Sequence, residues 1–247
     1  LLTRLLNRMP LPKLIQRREE AEFLYRYTRL ILMEFEEDFF GREASDMKEF
    51  AGCFTDIFPK GYDFLDLNPM QAIFFLKDTE EDTGAVKERC RQLLQKIEAG
   101  FRRSCYLSIS PKFEKPEEIG AAYDQAEQYL EERFFSRDLF IYPLNGEKGS
   151  GQEGEAGDSQ LLERIKRDIE GRDVYSLRRD VSVLLDKYRG NRQQSYIYVR
   201  FICSSLLSLL CCKEKGEALT SRIEKIYACT GFDQIEEIIG EALAELE

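Results

Sequence analysis

Histidine does not occur anywhere in this 247-residue chain. Its absence removes the commonest general base, the commonest zinc ligand and every Ser-His or Cys-His nucleophile pair. The seven cysteines (Cys53, Cys90, Cys105, Cys203, Cys211, Cys212 and Cys229) include no CxxC pair. That spacing and the odd count argue against a zinc site or a disulfide framework. Each stands among apolar neighbours, as free buried thiols of a reducing cytoplasm do. Cys211-Cys212 could be a redox sensor, but adjacent cysteines rarely bond. Also missing is any run approaching the ~18–20 apolar residues of a spanning helix. "RFICSSLLSLLCC" comes closest, and its serines make it a buried core helix instead. "LLTRLL" is too short for a signal peptide. The chain has no GxxxxGK(S/T) loop, GxSxG elbow or GxGxxG fingerprint. A net charge of -10 argues against wrapping nucleic acid, which calls for a basic stripe.

What is present reads as a globular chain, 43% hydrophobic and 33% charged, long enough for one large or two modest domains. It starts at Leu1 and its last helical pattern runs to Glu247 without a stop signal, so it reads as part of a longer polypeptide. "LNGEKGSGQEGEAGD", residues 144–158, is rich in glycine and charge and lacks hydrophobic periodicity, which predicts a linker.

Residues 1–27 read as an N-terminal helical linker, and residues 28–143 as an alternation of strands and helices. "TRLILMEFEED" is an apolar central strand, and "SDMKEFAGCFTDIFPKG" a helix capped at Ser45 or Asp46. "YDFLDLNPMQAIFFL" is a hairpin turning at Asn68-Pro69. The next helix, "DTGAVKERCRQLLQKIEAGF", puts Val86, Cys90, Leu93, Leu94 and Ile97 on one face and stops near Gly100. A strand "SCYLSISPKF", a helix entered at Pro116 and a last strand "LFIYP" complete the order β-α-β-β-α-β-α-β. That order is a split βαβ sheet, mostly antiparallel, with helices packed on it. Residues 159–247 read as an all-α helical bundle around "QQSYIYVRFICSSLLSLLCCKEKG", giving an α+β chain as a whole.

Four short pieces fall in order within about forty residues: "LSIS" at Leu107–Ser110, "AYDQA" at Ala122–Ala126, "RFF" at Arg133–Phe135 and "FIY" at Phe140–Tyr142. This stretch resembles the central region of AraC-type response regulators, including YesN-like ones. There a strand "(I/L)SIG(I/V)S" precedes a helix with "SY-x-x-A", then "RFF" and "I-x-Y". The glycine of the strand motif is missing here, and Ala122 stands where serine is common. The residues carried over by the resemblance are Ser108, Tyr123, Ala126, Arg133, Phe134, Phe135 and Tyr142. It implies a degenerate GGDEF domain, the fold of nucleotide cyclases, followed by a helical segment. It further implies a receiver domain and a helix-turn-helix pair in the same full-length chain as partners, neither within these residues.

A working cyclase of this fold holds divalent metal on a triphosphate with carboxylates at the first strand's end and on the hairpin. Glu34 and Glu36 lie roughly where such a pair belongs, and period-2 spacing puts them on one face. Acids at a strand exit are more often simply solvated. The hairpin, "DLNPMQ", has no glycine, Pro69 has no N–H, and Asp66 is the single remaining acid. Glu34, Glu36 and Asp66 are therefore weak metal candidates, and no catalytic residue or cofactor is expected.

Three further features have two readings each. Phe134-Phe135 either close the last helix onto the sheet as core or contact a ligand. Tyr196 and Tyr198 line a pocket or a dimer seam. Arg178, Arg179, Lys187, Arg189 and Arg192 form a solvated basic face or dock an acidic partner or DNA flank. The expectation is a cytoplasmic, non-catalytic module of a transcriptional regulator, with its bundle as the surface for a homodimer, reaching DNA only through absent domains and no membrane. The rivals are a nucleotide or cyclic-dinucleotide sensor retaining Glu34 and Glu36, a residual cyclase, and a small-molecule sensor with a pocket between sheet and bundle.

Overall fold

The computed structural model describes residues 1–14, 18–41, 44–79, 81–143, 155–190, 194–212 and 216–246. Two compact units emerge. The first comprises Leu1–Leu130 and the segment from Asp138; the second comprises Glu131–Arg137 and the C-terminal helices.

The first unit opens with α1 (Leu2–Leu6), α2 (Leu11–Leu14) and a 3₁₀ segment, Arg18–Arg26. Strand β1 (Tyr27–Phe35) leads to α3 (Ala44–Ile57), β2 (Tyr62–Asn68), β3 (Gln71–Lys77), α4 (Thr83–Phe101), β4 (Cys105–Ile109), α5 (Ile119–Glu131) and β5 (Ile141–Tyr142). The sheet order is β2-β3-β1-β4-β5. Pairing is antiparallel except between β4 and β5. With β3 lying between β1 and β2, this is the split βαβ connection read from the sequence.

Strand β1 is central because both its faces are apolar. Ile31, Met33 and Phe35 face a core built with α3 and α4 through Phe50, Phe54, Val86, Cys90 and Leu93. Leu30 and Leu32 face a second core with Ile119, Ala122, Ala126 and Leu130 of α5. Leu5, Leu6, Leu11, Ala21 and Leu24 belong to that same core. The segment expected as an N-terminal linker thus covers one face of the sheet. Gly120 permits it: a Cβ there would lie 3.0 Å from the carbonyl of Leu5.

Two helix ends differ from the sequence reading. Helix α4 passes through Gly100 to Phe101, and Arg102 takes the left-handed C-cap position at φ 52°. Ser45 and Asp46 lie within α3, not ahead of it. At the other end of α4, the Asp82 side chain accepts a 2.8 Å bond from the N–H of Ala85, a side-chain N-cap.

The second unit contains α6 (Glu155–Gly171), α7 (Val174–Gly190), α8 (Tyr196–Leu210), α9 (Glu217–Ala228) and α10 (Phe232–Leu246). Helix α8 is the central helix, burying Val199, Ile202, Cys203, Leu206, Leu207 and Leu210. Most of the expected linker, residues 144–154, lies outside the described residues, while Glu155–Asp158 form the first turn of α6. Asp158, at the end of the expected linker, is buried inside this helix, 1% exposed. No helix among the described residues is long and apolar enough to cross a membrane.

Candidate functional site

The hairpin joining β2 to β3 is where the sequence resemblance would put a cyclase signature, and its hydrogen bonds define what it can do. Asn68 Oδ1 accepts from the N–H of Met70 at 2.9 Å and of Gln71 at 3.0 Å. Its amide nitrogen donates to Gln71 Oε1 at 2.9 Å. Pro69 contributes no N–H. The amides that could have cradled a phosphate are thus used inside the turn by one side chain, an Asx-type closure. The turn carbonyls are engaged as well. Pro69 O accepts from Phe39 and Phe40, and Met70 O from Phe35, at 2.8–2.9 Å. The hairpin clamps the end of β1 and the loop after it.

The three candidate acids do not converge. Glu34 pairs in register with Gln71 and accepts a 2.5 Å bond from its Nε2. Glu36 lies one residue past β1 and accepts from the Tyr106 hydroxyl at 3.1 Å. Asp66 is exposed and aligned with Ala72, a member of the core on the α3–α4 face. Directly opposed residues share a face and successive residues alternate, so Asp66 is on the side of the sheet opposite Gln71 and Glu34. Among the described residues no group of three or more Cys, Asp and Glu is placed to hold a metal ion.

The residues carried over from the regulator family have structural roles. Ser108 is buried on β4 and donates to the Ala126 carbonyl of α5 at 2.6 Å. Tyr123 donates to Glu127 at 2.5 Å, and Tyr142 to the Leu139 carbonyl at 2.5 Å. Burial and the Glu127 hydrogen bond both raise the Tyr123 phenol above its ordinary value. Arg133 lies in the 3₁₀ turn Glu132–Phe134, half-buried.

Of the two readings of Phe134-Phe135, the one in which they close α5 onto the sheet is corrected: both pack in the bundle. Phe134 belongs to the bundle core, and its ring lies 5.7 Å from Tyr196 and 6.5 Å from Phe232. Phe135 is 5.9 Å from Phe232. The Arg200 guanidinium lies 5.1 Å from the Phe134 ring and 4.9 Å from the Tyr196 ring, and it donates to the Cys229 carbonyl. Tyr196 is thereby part of the bundle packing.

The polar feature missed by sequence reasoning is the buried carboxylate of Asp158. It accepts from Tyr188 at 2.7 Å and Tyr198 at 3.0 Å, and Lys187 pairs with its other oxygen. One acid on α6 therefore ties α7 to α8. Burial, then the hydrogen bond to Asp158, pushes the Tyr188 phenol well above its ordinary value. A second buried acid, Asp180, pairs with Arg164 at 2.8 Å and Arg179 at 3.0 Å. Burial alone would raise the Asp180 carboxyl, but the two guanidinium hydrogen bonds outweigh it and hold it below the ordinary range. Arg189 pairs with Asp186 and Glu236. Arg179, Lys187 and Arg189 of the basic face thus pair with carboxylates of this chain, the two arginines remaining exposed as a solvated face would have them; Arg192 lies outside the described residues.

Comparisons with protein-family models, curated proteins and solved structures found no match to this chain.

Proposed function

We propose that this chain is a non-catalytic coupling module of the kind found at the centre of AraC-type response regulators, built on a degenerate GGDEF-like domain and a helical bundle. The motif pieces between Leu107 and Tyr142 support the family, and the strand order β2-β3-β1-β4-β5 is compatible with the fold. The observation that carries the non-catalytic reading is Asn68. Its side chain occupies the turn amides of Met70 and Gln71, and the acid on the hairpin strand faces away from Glu34.

In this reading the module relays an input from a receiver domain to helix-turn-helix units of the same polypeptide. DNA is contacted by those units and not by residues 1–247, whose net charge is -10. The module works in the cytoplasm, an environment that suits its free cysteines. Relay needs two alternative domain arrangements whose balance the input shifts.

Calorimetry with GTP and Mg²⁺ tests the non-catalytic reading. The expected result is no saturable heat. Saturable binding that disappears in Glu34→Ala would overturn it in favour of a nucleotide sensor or residual cyclase.

A further inference from the structure

The sheet ends in two unlike edges. Strand β5 is two residues long and runs into Pro143, which blunts it against further pairing. Strand β2, at the other edge, has seven residues, YDFLDLN, with neither the proline nor the lysine that commonly protects an edge.

The ladder fixes which backbone groups of β2 face outward. Lys77 donates to the Gly61 carbonyl at 3.1 Å, so Gly61 and Lys77 are a hydrogen-bonded pair. Register then runs Tyr62↔Leu76, Asp63↔Phe75, Phe64↔Phe74, Leu65↔Ile73 and Asp66↔Ala72. Pairs with and without hydrogen bonds alternate along an antiparallel ladder. Asp63 and Leu65 therefore bond to β3, and the N–H and C=O groups of Tyr62, Phe64 and Asp66 point away from it. Among the described residues no loop or other element takes up those groups. An occupant that satisfies them in sequence is itself an extended strand.

The side chains narrow that occupant's chemistry. Tyr62, Phe64 and Asp66 share the sheet face covered by α3. Phe64 is 39% exposed with its ring against Phe40 and Phe74, an apolar seat at the middle of the edge. Asp66 is exposed, and among the described residues its carboxylate has no hydrogen-bond or ion-pair partner. Asp63, on the other face, is engaged by the Tyr27 hydroxyl and by Lys77, the latter at 2.9 Å. The strand thus presents an uncompensated negative charge and no base, in a chain of net charge -10. Like charges opposed across a strand pair are destabilising, so charge complementarity disfavours an acidic strand, a second copy of β2 included, and favours a basic one.

We propose that β2 accepts, as an added antiparallel strand, an extended basic segment of a partner protein. The pairing dictates its pattern. A lysine or arginine lies opposite Asp66 and a β-branched apolar residue opposite Phe64, and each outward residue exchanges two hydrogen bonds with the residue facing it. Main-chain bonds supply the affinity, and the Asp66 and Phe64 positions supply the selectivity. Contact through one short strand is small, so the complex is weak and reversible. The proposal does not depend on the regulator reading.

Fluorescence anisotropy of the whole chain with a labelled peptide, acetyl-Ser-Lys-Val-Val-Lys-Thr-Ser-amide, tests it. In register, the first lysine faces Asp66 and the second valine faces Phe64. Saturable binding is expected, and replacing both lysines by glutamate should weaken it roughly tenfold or more. N-methylation of the second valine, whose N–H points at β2, should weaken it as much. N-methylation of the first valine, whose N–H points away, should leave affinity within about twofold. Asp66→Lys should reverse the preference between the lysine and glutamate peptides. Melting curves establish that this variant stays folded; if it does not, Asp66→Asn replaces it and must narrow the preference. Absence of saturable binding up to about 1 mM peptide overturns the proposal. So do equal affinities of the two N-methyl peptides, which mean charge attraction without strand addition, and a preference that the Asp66 variant leaves unchanged.

Discussion

The hydroxyl of Tyr188 donates a 2.7 Å hydrogen bond to the buried carboxylate of Asp158, thirty residues earlier in the chain. Tyr198 and Lys187 bond the same carboxyl group, so one side chain ties together three helices of the second unit. A hydrogen bond to a charged group contributes about 1.5–3 kcal/mol. Tyr188→Phe should therefore lower the bundle's stability by about 2 kcal/mol, and Tyr198→Phe, with a 3.0 Å bond, by less. Asp158→Ala should cost more than either, about 3 kcal/mol, because two buried hydroxyls and Lys187 lose their acceptor together. Urea unfolding followed by far-UV circular dichroism measures all three.

Alkaline stability should fall steeply once pH exceeds 9. The Cys90 and Cys203 thiols are pushed up to about 12 by burial, and the Tyr188 phenol is raised as well. In the unfolded chain the thiols ionise near 9, so above that pH the unfolded state has released protons that the folded state still holds. The stabilisation is complete below 9 and shrinks as pH rises toward 12. Asp180 acts in the other direction. Its lowered pKa contributes stability above the ordinary carboxylate range that is lost as pH falls through its folded value. A melting temperature recorded against pH should decline on both flanks. Arg164→Gln should make the acid flank shallower, because it removes one of the groups that lower Asp180.

Phe134→Ala should destabilise the second unit by about 3–5 kcal/mol, the usual cost of deleting a buried phenylalanine. Hydrogen exchange should accelerate in α8 and α10, whose Tyr196 and Phe232 pack against that ring. Protection of β1 and β3 should be unchanged. Loss of protection in the sheet with an unaffected bundle would contradict the place assigned to Phe134.

Asn68→Ala removes the acceptor for two turn amides and should cost about 1–2 kcal/mol in the first unit. It should not create affinity for GTP, since Pro69 still lacks an N–H and Asp66 still faces away from Glu34. A thermal melt and a titration on the same variant check both expectations.

Thiol labelling should modify Cys212 first, because it is exposed while Cys90, Cys105, Cys203, Cys211 and Cys229 are buried. Cys53, half-buried, should follow more slowly, its thiol raised by burial. Mass spectrometry of peptides after a timed label reads the order. Early modification of Cys105, which is fully buried on β4, would contradict the core described for the first unit.

The alternation of strands and helices was legible because periodicity reports directly on which faces are buried. The run "TRLILMEF" has apolar residues at both parities, and it became the central strand with a core on each side. Helix ends were less legible. Gly100 signalled a stop, yet Arg102 supplied the left-handed residue, since a cap depends on local backbone geometry more than on composition. The polar hub was invisible for a different reason. Asp158, Tyr188 and Tyr198 sit on three helices, and their meeting depends on how those helices pack. In the sequence Asp158 was only the last residue of a glycine-rich linker pattern.

The hairpin shows the division between the two levels. Sequence alone determined that it would turn at Asn68-Pro69, and that Pro69 would withhold one N–H, because these are properties of residue type. It also determined the sheet's element order and the helical character of the C-terminal part, through hydrophobic period. Only the tertiary structure decided that Asn68 would consume the remaining turn amides, that Asp66 would lie on the face away from Glu34, and that Phe134 would enter the bundle. Those outcomes depend on register and packing between segments distant in the chain, and a one-residue change in register reverses the face of every side chain it carries.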